Sequence, residues 1–235
     1  MSRILKGHLP AILLALSVLA LAGQEARALT EVSSSLVDLL RNSTSILKGT
    51  VTGVTDGVDE MGLPYTEITV EISRTLRGQE QGSYSFRQFG LLEPRLSEDG
   101  TRKMLAAPSG FPKYAEGDEV FLFLSRPASL TGLRSTVGLG AGRFSFGPGR
   151  IENDLANQGL FQDVSIDPGL STTNDVRMME TEIGAVNPST FESFVERAIT
   201  ERWVENCRLW NTSEGKTCVR GRRTAGPVER IGGEN

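Results

Sequence analysis

One stretch of the chain alternates cleanly. Ile68, Val70 and Ile72 are interleaved with Glu67, Thr69, Glu71 and Ser73, a period of two that gives a strand one buried and one wet face. Upstream, residues 46–54 form a β-branched run that predicts a second strand, with a bulge at Gly53. Residues 56–64 read as a turn-rich loop between the two. Arg77-Gly78 closes the alternating strand, and residues 83–89 predict another, with Tyr84 and Phe86 on one face. Val120-Phe121-Leu122-Phe123-Leu124 is apolar without a break. Both faces of such a strand must be covered, so it belongs in the middle of a sheet. Glu116-Gly117-Asp118 supplies the turn before it. Residues 133–139 and 143–146 read as a hairpin around a glycine corner, and residues 159–166 as a short strand stopped by Asp167-Pro168-Gly169.

Helical spacing occurs at the two ends of this β-rich region. Ser35 followed by Asp38 predicts a capped start for a short helix ending near Asn42. Ser189-Thr190-Phe191-Glu192 reads as a second capping box. After it, Phe191, Phe194, Val195, Ala198, Ile199 and Trp203 recur at helical intervals. Residues 170–187 are polar and weakly patterned. The resulting expectation is a mostly β fold with flanking α: a small OB-like antiparallel β-barrel, a short N-terminal helix and an amphipathic C-terminal helix. In domain terms, residues 29–168 form the barrel, 169–187 a linker and 188–205 the helix packed on it. Residues 206–235 form a disulfide-closed loop and a flexible basic tail.

The first residues change the meaning of the composition. Arg3 and Lys6 precede an apolar run at 9–21 interrupted only by Ser17, and Ala26-Arg27-Ala28 follows. This is the arrangement of a secretory signal peptide over 1–28, its run shorter than a membrane span requires. The expected mature chain starts at Leu29 and carries 22 basic against 28 acidic residues. It has no later membrane-spanning segment, and its place is the periplasm or the extracellular space. His8, the one histidine, is lost with the signal. Imidazole-based triads, Cys–His pairs and histidine zinc sites are thereby excluded from the mature chain. The two cysteines, Cys207 and Cys218, are spaced for a local disulfide in an exported protein.

The segments LVDLLRNSTSILKGTVTGV, EITVEISRTLRG, YAEGDEVFLFL and STVGLGAGRFSF occur in that order between residues 36 and 146. This series resembles uncharacterised exported bacterial β-barrel proteins. More distantly it resembles the netrin-like (NTR-like, OB-type) modules of the tissue-inhibitor-of-metalloproteinases group. The resemblance implies an OB-type barrel and, by analogy, protease inhibition. The inhibitors of that group place an N-terminal cysteine on the target's zinc, and no cysteine lies near Leu29.

Candidate chemistry is sparse. Gly138-Leu139-Gly140-Ala141-Gly142-Arg143 lacks the third glycine of a dinucleotide loop and runs on into a strand, so it reads as a bend. Asp56, Asp59 and Glu60 sit together, but their spacing departs from a calcium loop at the third and sixth positions. Glu116, Asp118 and Glu119 flank a turn, and Lys103 and Lys113 are joined to no serine by any motif. A carboxylate-based or Ser-Lys hydrolase is therefore the competing reading. The leading expectation is a non-enzymatic exported module, without cofactor or metal, that binds a protein or glycan and not nucleic acid. The long connection 90–114 holds more apolar side chains than a solvated loop needs; it either folds back over the barrel end, the favoured reading, or presents the partner-binding surface. The residues named for it are Phe89, Leu91, Leu92, Met104, Leu105, Phe111 and Tyr114.

Overall fold

The computed structural model describes residues 34–97 and 100–214. The expected signal segment, Cys218 with its expected disulfide to Cys207, and the basic tail lie outside the described residues. Ten strands and three helices are found among the described residues. The central feature is a six-stranded antiparallel sheet ordered β3-β2-β1-β6-β7-β8. Its members are β1 (Ser45–Val58), β2 (Pro64–Arg77), β3 (Ser83–Phe89), β6 (Glu119–Leu124), β7 (Arg143–Gly147) and β8 (Arg150–Asn153). Two minor pairs complete the β structure: β4 (Arg95–Leu96) with β5 (Lys103–Met104), and β9 (Val164–Ile166) with β10 (Leu209–Asn211). The helices are α1 (Leu36–Asn42), α2 (Thr173–Met179) and α3 (Pro188–Thr200).

The sheet has a core on each face. On one, Phe121, Phe123 and Phe144 pack with α1 and with Phe191, Phe194 and Val195 of α3. Phe144 and Phe191 stack with ring centroids 4.8 Å apart. On the other face, Val120, Leu122 and Leu124 join Leu47, Val51, Ile68, Val70 and Phe86. Alternate residues of β6 therefore serve different cores. Phe121 and Phe123 do not share an interior with Ile68, Val70 and Ile72, as a single filled barrel would require. The six strands form an open row instead of a closed ladder, because β7 and β8 continue the sheet beyond β6. A single backbone hydrogen bond, from the Arg134 N–H to the Arg87 carbonyl (2.7 Å), ties the segment after β6 to the β3 edge.

Several expectations hold in detail. Ser35 and Asp38 form the reciprocal cap of α1. The β1–β2 register shifts between Val51 and Gly53, placing the bulge where expected. β6 lies between β1 and β7 with five consecutive buried residues. Others are corrected. β1 runs on to Val58, so the turn between β1 and β2 is shorter than residues 56–64. β7 pairs with β8 and not with residues 133–139; Thr136 instead bridges Leu124 at the end of β6. The stretch read as a linker contains α2, capped by Thr172 and Asp175. α3 is capped by Asn187 with Pro188 in its first turn, not by Ser189, and ends at Thr200. Trp203 follows a left-handed Arg202 (φ 54°), which folds the indole back into the core. Among the described residues no helix is long and apolar enough to cross a membrane.

Candidate functional site

The β1–β2 hairpin and the connection 90–114 meet at one end of the sheet. Asp59 shapes the hairpin tip: its Oδ1 accepts from the Met61 and Leu63 amides at 2.9 and 2.8 Å. Gly62 takes the positive φ (79°) that the turn needs. The connection leaves β3 at Gly90, whose φ of 99° and contact with the Ala107 backbone leave no space for a Cβ. Leu91 then bridges Ala106, exchanging backbone bonds with Leu105 and Ala107. Beyond it, the β4–β5 hairpin stands opposite the β1–β2 tip. Asp56 clamps the two together, accepting from the Leu92 amide (2.8 Å) and from Arg95 Nη1 (2.7 Å).

A groove of about 820 Å³ lies between them, lined in part by Val58, Asp59, Arg95, Leu96, Arg102 and Met104. Of the eight large apolar side chains exposed among the described residues, five belong to the hairpin end and the connection, Val58, Met61, Leu92, Leu96 and Leu105, and of these Val58 and Leu96 line the groove. The remaining three, Leu130, Val176 and Ile183, come from other segments. Concentration of this kind, unlike scattered single exposure, marks a surface with a use.

The sequence-named residues divide. Leu92 (50 % exposed) and Leu105 (58 %) face solvent, and Met104 lines the groove half-buried. Leu91 is buried, while Phe89 and Phe111 are half-buried. Tyr114 packs its ring edge-on to Phe86, 6.0 Å between centroids. Its hydroxyl is buried without a hydrogen-bond partner, and burial pushes its pKa up. Val58, Met61, Arg95, Leu96 and Arg102, not named from the sequence, complete the surface. Met61 lay in the turn-rich loop; no sequence signal connects it with Leu96.

Beside the groove, one side of β1 carries no strand among the described residues. Its ladder with β6 covers Ser45 to Thr50 only. Val51 then exchanges backbone bonds with Asp118 and Gly117, and from Thr52 onward β1 has β2 on one side and no strand on the other among the described residues.

Two buried cations hold other parts of the molecule and line none of these walls. Arg134, 5 % exposed, donates to Glu80, Tyr84, Thr44, Ser45 and the Ser125 carbonyl. Burial alone would raise the Glu80 pKa, but hydrogen bonds from Ser45, the backbone and Arg134 outweigh it and hold the carboxyl below its usual range. Arg143 bridges Asp118 (2.6 Å) and Asp154 (2.7 Å). Burial still leaves the Asp154 pKa raised, against the pull of Arg143.

The remaining sequence candidates are distributed. Asp56 and Asp59 do the structural work just described, and Glu60 is exposed at the tip. Asp118 is held by Arg143, Glu119 pairs with Lys48 (3.3 Å), and Glu116 is exposed. Neither Lys103 nor Lys113 reaches a serine hydroxyl among the described residues. The glycine corner is a short 3₁₀ turn (Leu139–Gly142), where Gly142 packs on the Val137 carbonyl too closely for any side chain. Among the described residues no group of three or more His, Cys, Asp or Glu is placed to hold a metal ion. Neither a known family model nor a curated protein matches the chain.

Proposed function

We propose that this protein is an exported, non-enzymatic interaction module that binds a partner through the end of the sheet where the β1–β2 hairpin meets the connection 90–114. The observation that carries the reading is that five exposed apolar side chains, Val58, Met61, Leu92, Leu96 and Leu105, fall on the two segments that frame one groove, with Val58 and Leu96 in its wall. Burying an apolar side chain of this size is favourable by about 1.5–3 kcal/mol relative to leaving it exposed. A chain that leaves several uncovered at one place gains that free energy when something covers them. The groove favours a protein over a glycan, since no aromatic ring among the described residues lines it to stack on a sugar. The Arg134–Arg87 backbone bond, which ties the segment after β6 to β3, supports an OB-like reading of the fold and its distant likeness to NTR-like modules. Export follows from the n-region, apolar run and Ala26-Arg27-Ala28.

The test is capture of partners by the tagged protein from envelope and culture fractions after mild cross-linking, with mass spectrometry as readout. A variant carrying Leu92→Asp, Leu96→Asp and Leu105→Asp serves as control; all three positions are exposed, so its circular dichroism should match the parent's. One dominant partner, lost with the variant, is the expected result. No partner, or one retained by the variant, sinks the reading.

A further inference from the structure

We propose that the open side of β1 receives an extended segment of a partner protein as an added strand, seated in the groove between β1 and β4. This rests on the reading that the hairpin end is the binding surface, and adds how the partner binds and what it looks like. Exposed strand edges are normally guarded by lysine, proline, shortness or a cover. Residues 52–58, TGVTDGV, contain no lysine or proline. The inward charge that could guard them, Asp56, is already neutralised by Arg95.

Ladder alternation shows which groups wait. In an antiparallel pair, residues bonded to their partner alternate with residues whose N–H and C=O point away. The Asp59 N–H donates to the Leu63 carbonyl (3.0 Å). Counting back, the pairs Gly57–Tyr65 and Thr55–Glu67 bond inward. Val54, Asp56 and Val58 then direct their backbone groups to the open side. The opposite partner of Val58 is Pro64, which has no N–H to give, in agreement with this phase.

The groove walls define the segment. Val58, Leu96 and Met104 suit apolar side chains at alternate positions. Arg102 has no ion pair among the described residues, and Arg95 spends one nitrogen on Asp56. Both guanidiniums offer donors to a carboxylate. Glu60 and Glu93, exposed on the hairpin end and the connection, work against a longer acidic run. The structure therefore points to an extended, alternately apolar segment carrying a single acidic residue.

The experiment selects binders to the purified protein from a phage-displayed library of random dodecapeptides, then follows the synthesised winners by amide hydrogen exchange and NMR. Enriched peptides should alternate in polarity with one acid, and at saturation should slow exchange of the Val54, Asp56 and Val58 amides. Peptides N-methylated at the bonding amides, with side chains unchanged, should bind about tenfold more weakly per hydrogen bond lost. Val58→Pro should weaken binding similarly while keeping the β2 ladder, and Arg102→Glu should turn the preferred acid into a base. Strand addition is overturned by winners that protect other amides, by N-methylated peptides that bind as well as their parents, or by no enrichment. Protection already present at high concentration of the free protein overturns it in favour of a second copy. The capture experiment separates the two ideas: a partner lost with the triple leucine variant, without involvement of these three amides, leaves the interaction module standing and removes only the added strand.

Discussion

Arg134 shows how much one side chain can decide. Its guanidinium ends in a buried site where Glu80, Tyr84, two hydroxyls and a carbonyl accept its hydrogen bonds, and its own backbone N–H reaches β3. Replacement by leucine leaves Glu80, half-buried, as a charge without its cationic partner. The expected loss is about 1–3 kcal/mol, read from the urea midpoint by circular dichroism. The same pair sets a pH dependence. The folded Glu80 pKa is below its ordinary value of about 4.5, so its contribution is complete above that value and is lost as pH falls through the folded one. Stability should therefore decline from about pH 4.5 downward, and Glu80→Gln should flatten that decline relative to the parent when urea midpoints are compared across the acid range. Asp175, lowered despite its burial by bonds from Thr172 and Arg197, acts with the same sign. None of this was visible in the sequence, where Arg134 is one cation among 25.

At the level of elements, legibility followed amphipathicity. β2 could be read because its two faces meet different media. α1 could be read because its cap is local in the chain, and α3 because Phe191, Phe194, Val195 and Ala198 keep one stripe. β8 was missed: it is four residues long and buries a single apolar side chain, Ile151, too little for any period. α2 was missed because only Asp175 and Met178 of its seven residues are buried; its one signal was Thr172 followed at three residues by Asp175. Capping geometry makes a sharp prediction for α3. Asn187→Ala removes the acceptor for the Thr190 N–H and should cost about 1 kcal/mol. Ser189→Ala should cost much less, since Ser189 makes no cap to the backbone. Paired thermal melts distinguish the two. For the candidate site, composition pointed to residues 90–114 but could not separate Leu91, buried under the Ala106 bridge, from Leu92 beside it in the open. That difference depends on backbone pairing between residues far apart in the chain.

Across the whole molecule, β1 and β6 belong to both cores at once, through Leu47 and Val51 on one face and Ile46, Phe121 and Phe123 on the other. An all-apolar strand such as β6 has no polar side to reveal its orientation, which is why its phenylalanines could be assigned from sequence to the wrong interior. Sharing the two strands should make the faces melt together. Phe123→Ala should lose about 3–5 kcal/mol and Ile68→Ala about 2–5 kcal/mol. In each variant, tryptophan emission from Trp203 and Trp210 and near-ultraviolet tyrosine signals from Tyr84 and Tyr114 should keep a common midpoint. Separate midpoints would show two independently stable halves.

The bulge at Gly53 has a consequence for how this protein can change over time. It divides a strand of 14 residues, about 46 Å long at 3.3 Å per residue, into two unequal obligations. The half before it is walled on both sides and supplies the two cores, so almost any replacement there is paid for in folding. The half beyond it pairs with β2 alone among the described residues, and beyond that ladder it holds the molecule mainly through Asp56, which accepts from Leu92 and Arg95. Substitutions at Thr55, Val58 or Met61 can accumulate there with little penalty to the rest of the chain. Related proteins would then differ most at this hairpin end, each fitted to a different partner on a scaffold that had not moved.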